Sequence, residues 1–106
     1  MIYYVLTENQ WELAKQDDEY WPDDFDEIGY IPCANPGQLK DLVNELMLFG
    51  EPLILLTIDT NKLESVIIYE DVHESGIMSP HIYGYINIDA ITGSERYQPV
   101  PRSLPS

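Results

Sequence analysis

Leu53 to Ile58 is an apolar run broken only by Thr57. A strand with one wet face alternates apolar and polar residues, whereas an unalternating run marks a strand buried on both faces. The rest of the chain must therefore supply cover for both sides of this segment. Its 106 residues suit one domain, because a chain of that size buries roughly 60–70% of its unfolded surface. The expected domain spans residues 1–100. The tail 101–106 follows in a stretch from Pro99 that carries three prolines, and it is expected to fray.

The elements that provide the cover can be placed from local pattern. Ile2 to Leu6 is rich in β-branched and aromatic residues and reads as a buried strand. Thr7-Glu8-Asn9-Gln10 has the form of a capping box, so a short helix is expected to about Gln16, with Trp11 and Ala14 on one face. Between Asp17 and Glu27, seven of the eleven residues are acidic and none is basic. Pro22 interrupts any helix there, and the segment reads as a loop pinned by Tyr20, Trp21 and Phe25. Gly29 to Cys33 reads as a short second strand. Asn35-Pro36-Gly37-Gln38 opens the main helix, with Asn35 as cap; Leu39, Leu42, Val43, Leu46 and Met47 recur at helical spacing, and Gly50 ends it. Further strands are expected over Ser65–Tyr69, His81–Ile86 and Ile91–Val100, the last with a kink at Thr92–Gly93. Glu70 to Pro80 forms a polar loop holding His73. Strands and helices are mixed without regular βαβ alternation, so the class is α+β.

Charge and composition exclude several functions. Five basic residues against nineteen acidic ones give a net charge of −14, which opposes nonspecific binding to nucleic acid or an anionic membrane, both polyanions. No apolar stretch is long enough to span a bilayer as a helix. Met1 to Leu6 lacks the basic flank of a signal peptide. Cys33 is the lone cysteine, so no intrachain disulfide can form, and the composition suits a reducing cytoplasm. The acidic run makes a basic protein partner an option, and the sequence leaves the oligomeric state open.

Three groups of residues resemble a known family. Ile2, Tyr3, Thr7 and Trp11 form the first. Gly29-Tyr30-Ile31-x-Cys33 followed by Gln38 is the second, and Pro80-His81-Ile82-Tyr83-Gly84 followed by Asp89-Ala90 the third. In this order, from residue 2 to about residue 92, they resemble the bacterial family called domain of unknown function 952. The resemblance implies an ADP-ribosyltransferase-like fold, distantly similar to the RNA 2′-phosphotransferases. That fold is a split, strongly twisted, mostly antiparallel sheet with two main helices around a nicotinamide-dinucleotide cleft, which makes NAD the implied cofactor. In such relatives, histidines of the first strand and of a Gly-Phe-Ile-His motif line the cleft. Here Tyr4 and Pro32 stand at those positions. Tyrosine can donate one hydrogen bond and stack; proline has no polar side-chain atom.

The candidate catalytic residues are His81, Glu70 and Tyr4. The candidate cofactor contacts are Tyr4, Thr7, Asn35, His81 and Tyr83, with Asn35 marking a helix start whose backbone donors can hold one anion. His81 reads either as a ligand-contacting imidazole or as a structural histidine bonding a backbone carbonyl after Pro80. Tyr83 shares that ambiguity, and Gly84 marks a bulge or a close backbone approach. Glu70, at a strand end, reads either as a carboxylate stabilising ribosyl-cation character or as a solvated acid. Glu70, Asp71, His73 and His81 are all zinc-ligand types, but their spacing matches no compact zinc motif, and no calcium loop fits the acidic run. Cys33 reads as an inert, largely buried thiol. With only Lys15, Lys40, Lys62, Arg96 and Arg102 as cations, RNA processing is excluded on phosphate-gripping capacity. The expected function is a degenerate member of the fold that binds a small ligand or a protein partner. The alternative is an active NAD-dependent ADP-ribosyltransferase or glycohydrolase.

Overall fold

The computed structural model describes residues 1–46, 50–71 and 74–97. In chain order the elements are β1 (Ile2–Thr7), α1 (Glu8–Ala14), β2 (Glu19–Tyr20), α2 (Phe25–Ile28), β3 (Ile31–Pro32), α3 (Leu39–Glu45), β4 (Leu53–Ile58), β5 (Val66–Glu70), β6 (Ser79–Tyr83), β7 (Ile86–Asn87), a 3-10 turn at Ile88–Ala90, and β8 (Ile91–Tyr97). The apolar run is β4, the middle strand of a three-stranded sheet ordered β1-β4-β8. Its cover divides by strand parity. Leu53 and Leu55 join Val5 in a cluster closed by Leu42 and Val43 of α3. Ile54, Leu56 and Ile58 turn the other way, with Ile2, Tyr4 and Leu6, onto Ile31, Ile82 and Ile86. Sheet β1-β4-β8 therefore lies between α3 and a second sheet, ordered β3-β6-β5. Every strand pair is antiparallel. The two three-stranded sheets share one isolated bridge, where the Tyr3 and Ala34 amides donate to each other's carbonyls at 2.9 and 2.8 Å.

The α+β class and the antiparallel sheets match expectation, and several boundaries do not. The capping box forms, with the Thr7 hydroxyl accepting from the Gln10 amide and the Gln10 side chain accepting from Thr7, but α1 ends at Ala14 rather than Gln16. Asn35 does not cap the main helix. Gly37 adopts φ 93°, off the right-handed helical path, so Asn35 to Gln38 closes as a separate turn and α3 begins at Leu39. Met47 lies outside the described residues. The acidic segment is not wholly a loop: Glu19–Tyr20 pairs with β7, and α2 follows Pro22 until Gly29, at φ 87°, ends it. The second strand is only two residues long, as expected beside a residue without an amide donor.

The strand expected over His81–Ile86 breaks at Gly84, which has φ 154° and lies against Ser65; a Cβ there would stand 2.5 Å from the Ser65 hydroxyl. The kink expected at Thr92–Gly93 coincides with a register shift against Thr57 and Ile58. Residues 98–106, with the tail, lie outside the described residues. No helix among the described residues is long and apolar enough to cross a membrane.

Candidate functional site

The second sheet turns Ile31, Ile67 and Ile82 to the core, so their neighbours face outward. Directly opposed residues in an antiparallel pair share a face. His81 is opposed by Pro32 on one side and Ile68 on the other, Glu70 by Ser79, and Val66 by Tyr83. On that outward face a cleft of about 510 Å³ opens between the sheet, one end of α3 and the 74–79 segment. Pro32, Glu70 and His81 line it from the sheet, Gln38, Asp41 and Leu42 from the helix.

His81 is the polar group at its floor. The side chain is 1% exposed, and its Nδ1 lies 2.9 Å from Glu70 Oε1, a diagonal contact across the β5–β6 pair. The Tyr83 hydroxyl donates to the same carboxylate oxygen. These two hydrogen bonds, Tyr83's first, hold the Glu70 carboxyl below the usual carboxylate range, and Glu70 in turn pushes the Tyr83 phenol up to about 12. An ionised Glu70 accepts, so in the neutral imidazole Nδ1 carries the proton and Nε2 bears the lone pair. No buried side-chain nitrogen or oxygen among the described residues is left without a partner, and His81 lines the cleft. Tyr30 covers the ring, stacked at 4.2 Å and 14°. The result is an imidazole fixed in tautomer and orientation by a carboxylate and an aromatic plate, at the lining of a concave space.

The rest of the wall is held by backbone contacts. Gln38 donates to the Met78 carbonyl at 3.1 Å, tying the start of α3 to the segment before β6. Asp71 accepts from the Ser75 and Gly76 amides at 2.9 and 2.6 Å and shapes the turn that carries Ser75 and Ile77 to the cleft. Cys33 reaches the same cleft but is buried, and burial alone pushes its thiol up, with no cation or imidazole lowering it. It is not an activated nucleophile.

A protein family of unknown function, DUF952, matches residues 5–94. The chain belongs to this family. Comparison with curated proteins gives no match. Among solved structures, the DUF952 chain is similar to the X-ray crystal structure of protein CC0527 from Caulobacter crescentus, with a TM-score of 0.77 at 20% identity over 90% of this chain and 83% of that one. A double mutant of the same protein gives 0.76 at 19% identity with the same coverage. At such identity the likeness concerns the fold alone.

Of the residues singled out in the DUF952 sequence, Pro32, Glu70, Cys33 and His81 meet at one cleft. Tyr83 joins through Glu70. Tyr4 does not reach it. That side chain is 5% exposed, hydrogen-bonds Tyr20, and faces a smaller cavity bounded by Gln10, Tyr20 and Asp24; burial raises its hydroxyl well above the ordinary phenol value. Thr7 is occupied as the cap of α1. Asn35 lies in the turn before α3, its amide donating to the Gln38 side chain at 2.9 Å. His73 falls outside the described residues, and no metal-holding group of three or more His, Cys, Asp or Glu side chains occurs among the described ones.

Tyr30 and Gln38 belong to the motifs that carry the family resemblance but not to the site residues expected from sequence. The signal for Tyr30 was its place immediately before β3, which pairs directly with the His81 strand. Asn87, buried and bonded to the Glu64 amide, the Lys62 carbonyl and Asp89, gave no such signal.

Proposed function

We propose that this DUF952 protein is a small-molecule binding protein on an ADP-ribosyltransferase-like scaffold that has lost nicotinamide-dinucleotide chemistry. The observation that carries this reading is the oriented His81 imidazole presented to a cleft whose size suits a small ligand, since such sites combine a concave, largely apolar wall with a few fixed polar groups. The loss of the ancestral cofactor is supported by the wall itself. Asp41, Glu70 and Asp71 line it, with no lysine or arginine beside them among the described residues, so a pyrophosphate entering there meets like charge. A cytoplasmic location fits the lone, buried thiol.

The test screens small fragments against the full chain by NMR. Hits are expected to shift the His81, Gln38 and Tyr83 resonances, while titration calorimetry with oxidised nicotinamide dinucleotide and ADP-ribose gives no saturable heat. Hits that all leave His81 unmoved would overturn the reading.

The Glu70–His81 contact favours a second reading, in which the chain remains an NAD-dependent transferase or glycohydrolase with His81 Nε2 as the base. It requires nicotinamide release from the dinucleotide that falls sharply in His81→Ala while the circular dichroism spectrum is unchanged. Absence of release from folded protein disposes of it.

A further inference from the structure

We propose that β5 is a docking edge for a second copy of this chain, pairing antiparallel with the same strand about a two-fold axis at Ile68. The proposal stands on that edge and is independent of what the cleft binds.

The first observation is which edges are open. β1 and β3 meet through the Tyr3–Ala34 bridge, so the outer strands are β8 and β5, each paired on one side only among the described residues. An open edge carries unpaired amides and carbonyls, and chains that must stay single blunt it with charge, proline or a bulge. β8 is blunted in this way. Glu95 and Arg96 are exposed on it, and its register against β4 shifts at Thr57 and Ile58. β5 has none of these devices between Val66 and Tyr69. Instead Val66, Ile68 and Tyr69 are 62%, 44% and 47% exposed, and Tyr83, directly opposed to Val66, extends the apolar surface.

The second observation is charge, and it selects the occupant. A second copy brings another −14, so two copies can meet only where carboxylates are absent. Ser65 to Tyr69 is such a stretch, whereas a basic protein would be drawn to the acidic residues 17–27. The strand is also complementary to itself. About an axis at Ile68, Ile68 opposes its own copy, Ile67 opposes Tyr69, and Val66 opposes Glu70. Apolar residues thus pair across the strands, and neither Glu70 faces the other. Opposed residues share a face, so Val66 of the second copy stands beside Glu70, a residue of the cleft lining.

The third observation is area. A five-residue edge with its side chains buries on the order of 1,000 Å² over both copies, the lower end for a specific interface. The dimer is therefore weak. It also closes, because pairing uses up both β5 edges and β8 is blunted.

The experiment is sedimentation equilibrium of the full chain from about 5 µM to about 1 mM, in low salt and in about 0.3 M sodium chloride. Monomer and dimer are the expected species, with a dissociation constant on the order of 100 µM that tightens as salt screens the repulsion. Ile68→Lys, at an exposed position, is expected to weaken the dimer by about tenfold or more, although it lowers the net negative charge, with circular dichroism unchanged. Oxidation tests the register. Directly opposed Cα atoms stand about 4.5–5.5 Å apart, within disulfide range, so Ile68→Cys is expected to cross-link to its copy. Val66→Cys, held roughly 13 Å from its copy by a four-residue offset, is not; Cys33 is buried and stays out. A dimer indifferent to Ile68→Lys, equal cross-linking by Val66→Cys, or growth beyond two copies overturns the proposal. A monomer at every concentration and salt also overturns it, and leaves the β5 edge to a foreign strand.

Discussion

Glu70 Oε1 receives two donors, the Tyr83 hydroxyl and His81 Nδ1, and this gives the chain a pH signature. The Tyr83 phenol keeps its proton to about 12 in the folded protein against an ordinary value of 10. Between those values the folded state binds more protons than the unfolded one, so stability falls as pH rises through that window and is fully present below it. Glu70 has the opposite sign. Its folded value lies below the usual 4.5, so its contribution holds at neutral pH and is lost on acidification below that value. In Tyr83→Phe, spectrophotometric titration should lose one late-ionising phenol, and the alkaline decline in stability should become shallower. An unchanged decline would show that the hydrogen bond does not couple to folding. At this scale the sequence exposed His81 through its motif but not its partner. Which residue lies diagonal to His81 depends on the register in which β5 and β6 pair, and no pattern within either strand sets that register.

At the scale of elements, β6 and β7 are separate strands because of one glycine. Gly84→Ala forces a Cβ to 2.5 Å from the Ser65 hydroxyl at a φ of 154°, and that hydroxyl is itself held by the Tyr85 carbonyl at 2.7 Å. Denaturant unfolding should show a loss of roughly 1–3 kcal/mol. Adding Ser65→Gly should recover part of it, since the contact goes and the backbone strain stays; no recovery would place the whole cost in the backbone. The elements β1, α1 and β4 were legible from their own residues, because β-branched and aromatic enrichment, a capping box and an unalternating apolar run are all local signals. The main helix begins at Leu39, four residues after its apparent cap Asn35, because Gly37 takes a positive φ and Asn35-Pro36-Gly37-Gln38 closes as a turn, a reading the Pro-Gly pair allows as readily as a helix start. The short pieces β2 and α2 were hidden for a different reason. Their stability comes from β7 and from Tyr20 and Phe25 packing on the core, contacts distant in sequence.

For the whole molecule, a net charge of −14 on 106 residues works against compaction. Among the described residues, the lysine and arginine ion pairs Lys15–Glu12 and Arg96–Glu8 are exposed contacts that offset little of it. Raising sodium chloride from about 10 mM to about 0.3 M should therefore stabilise the fold by on the order of 1 kcal/mol, or roughly 4–8 °C in Tm by calorimetry. A Tm that stays flat would mean the carboxylates are already far enough apart not to matter.

The bridge between Tyr3 and Ala34 has a mechanical consequence. Two amide protons form the backbone stitch between the three-stranded sheets among the described residues, so in deuterium exchange they act as a strain gauge for that seam. If the sheets part before either one melts, these two protons exchange together and ahead of the Leu55 amide at the centre of β4.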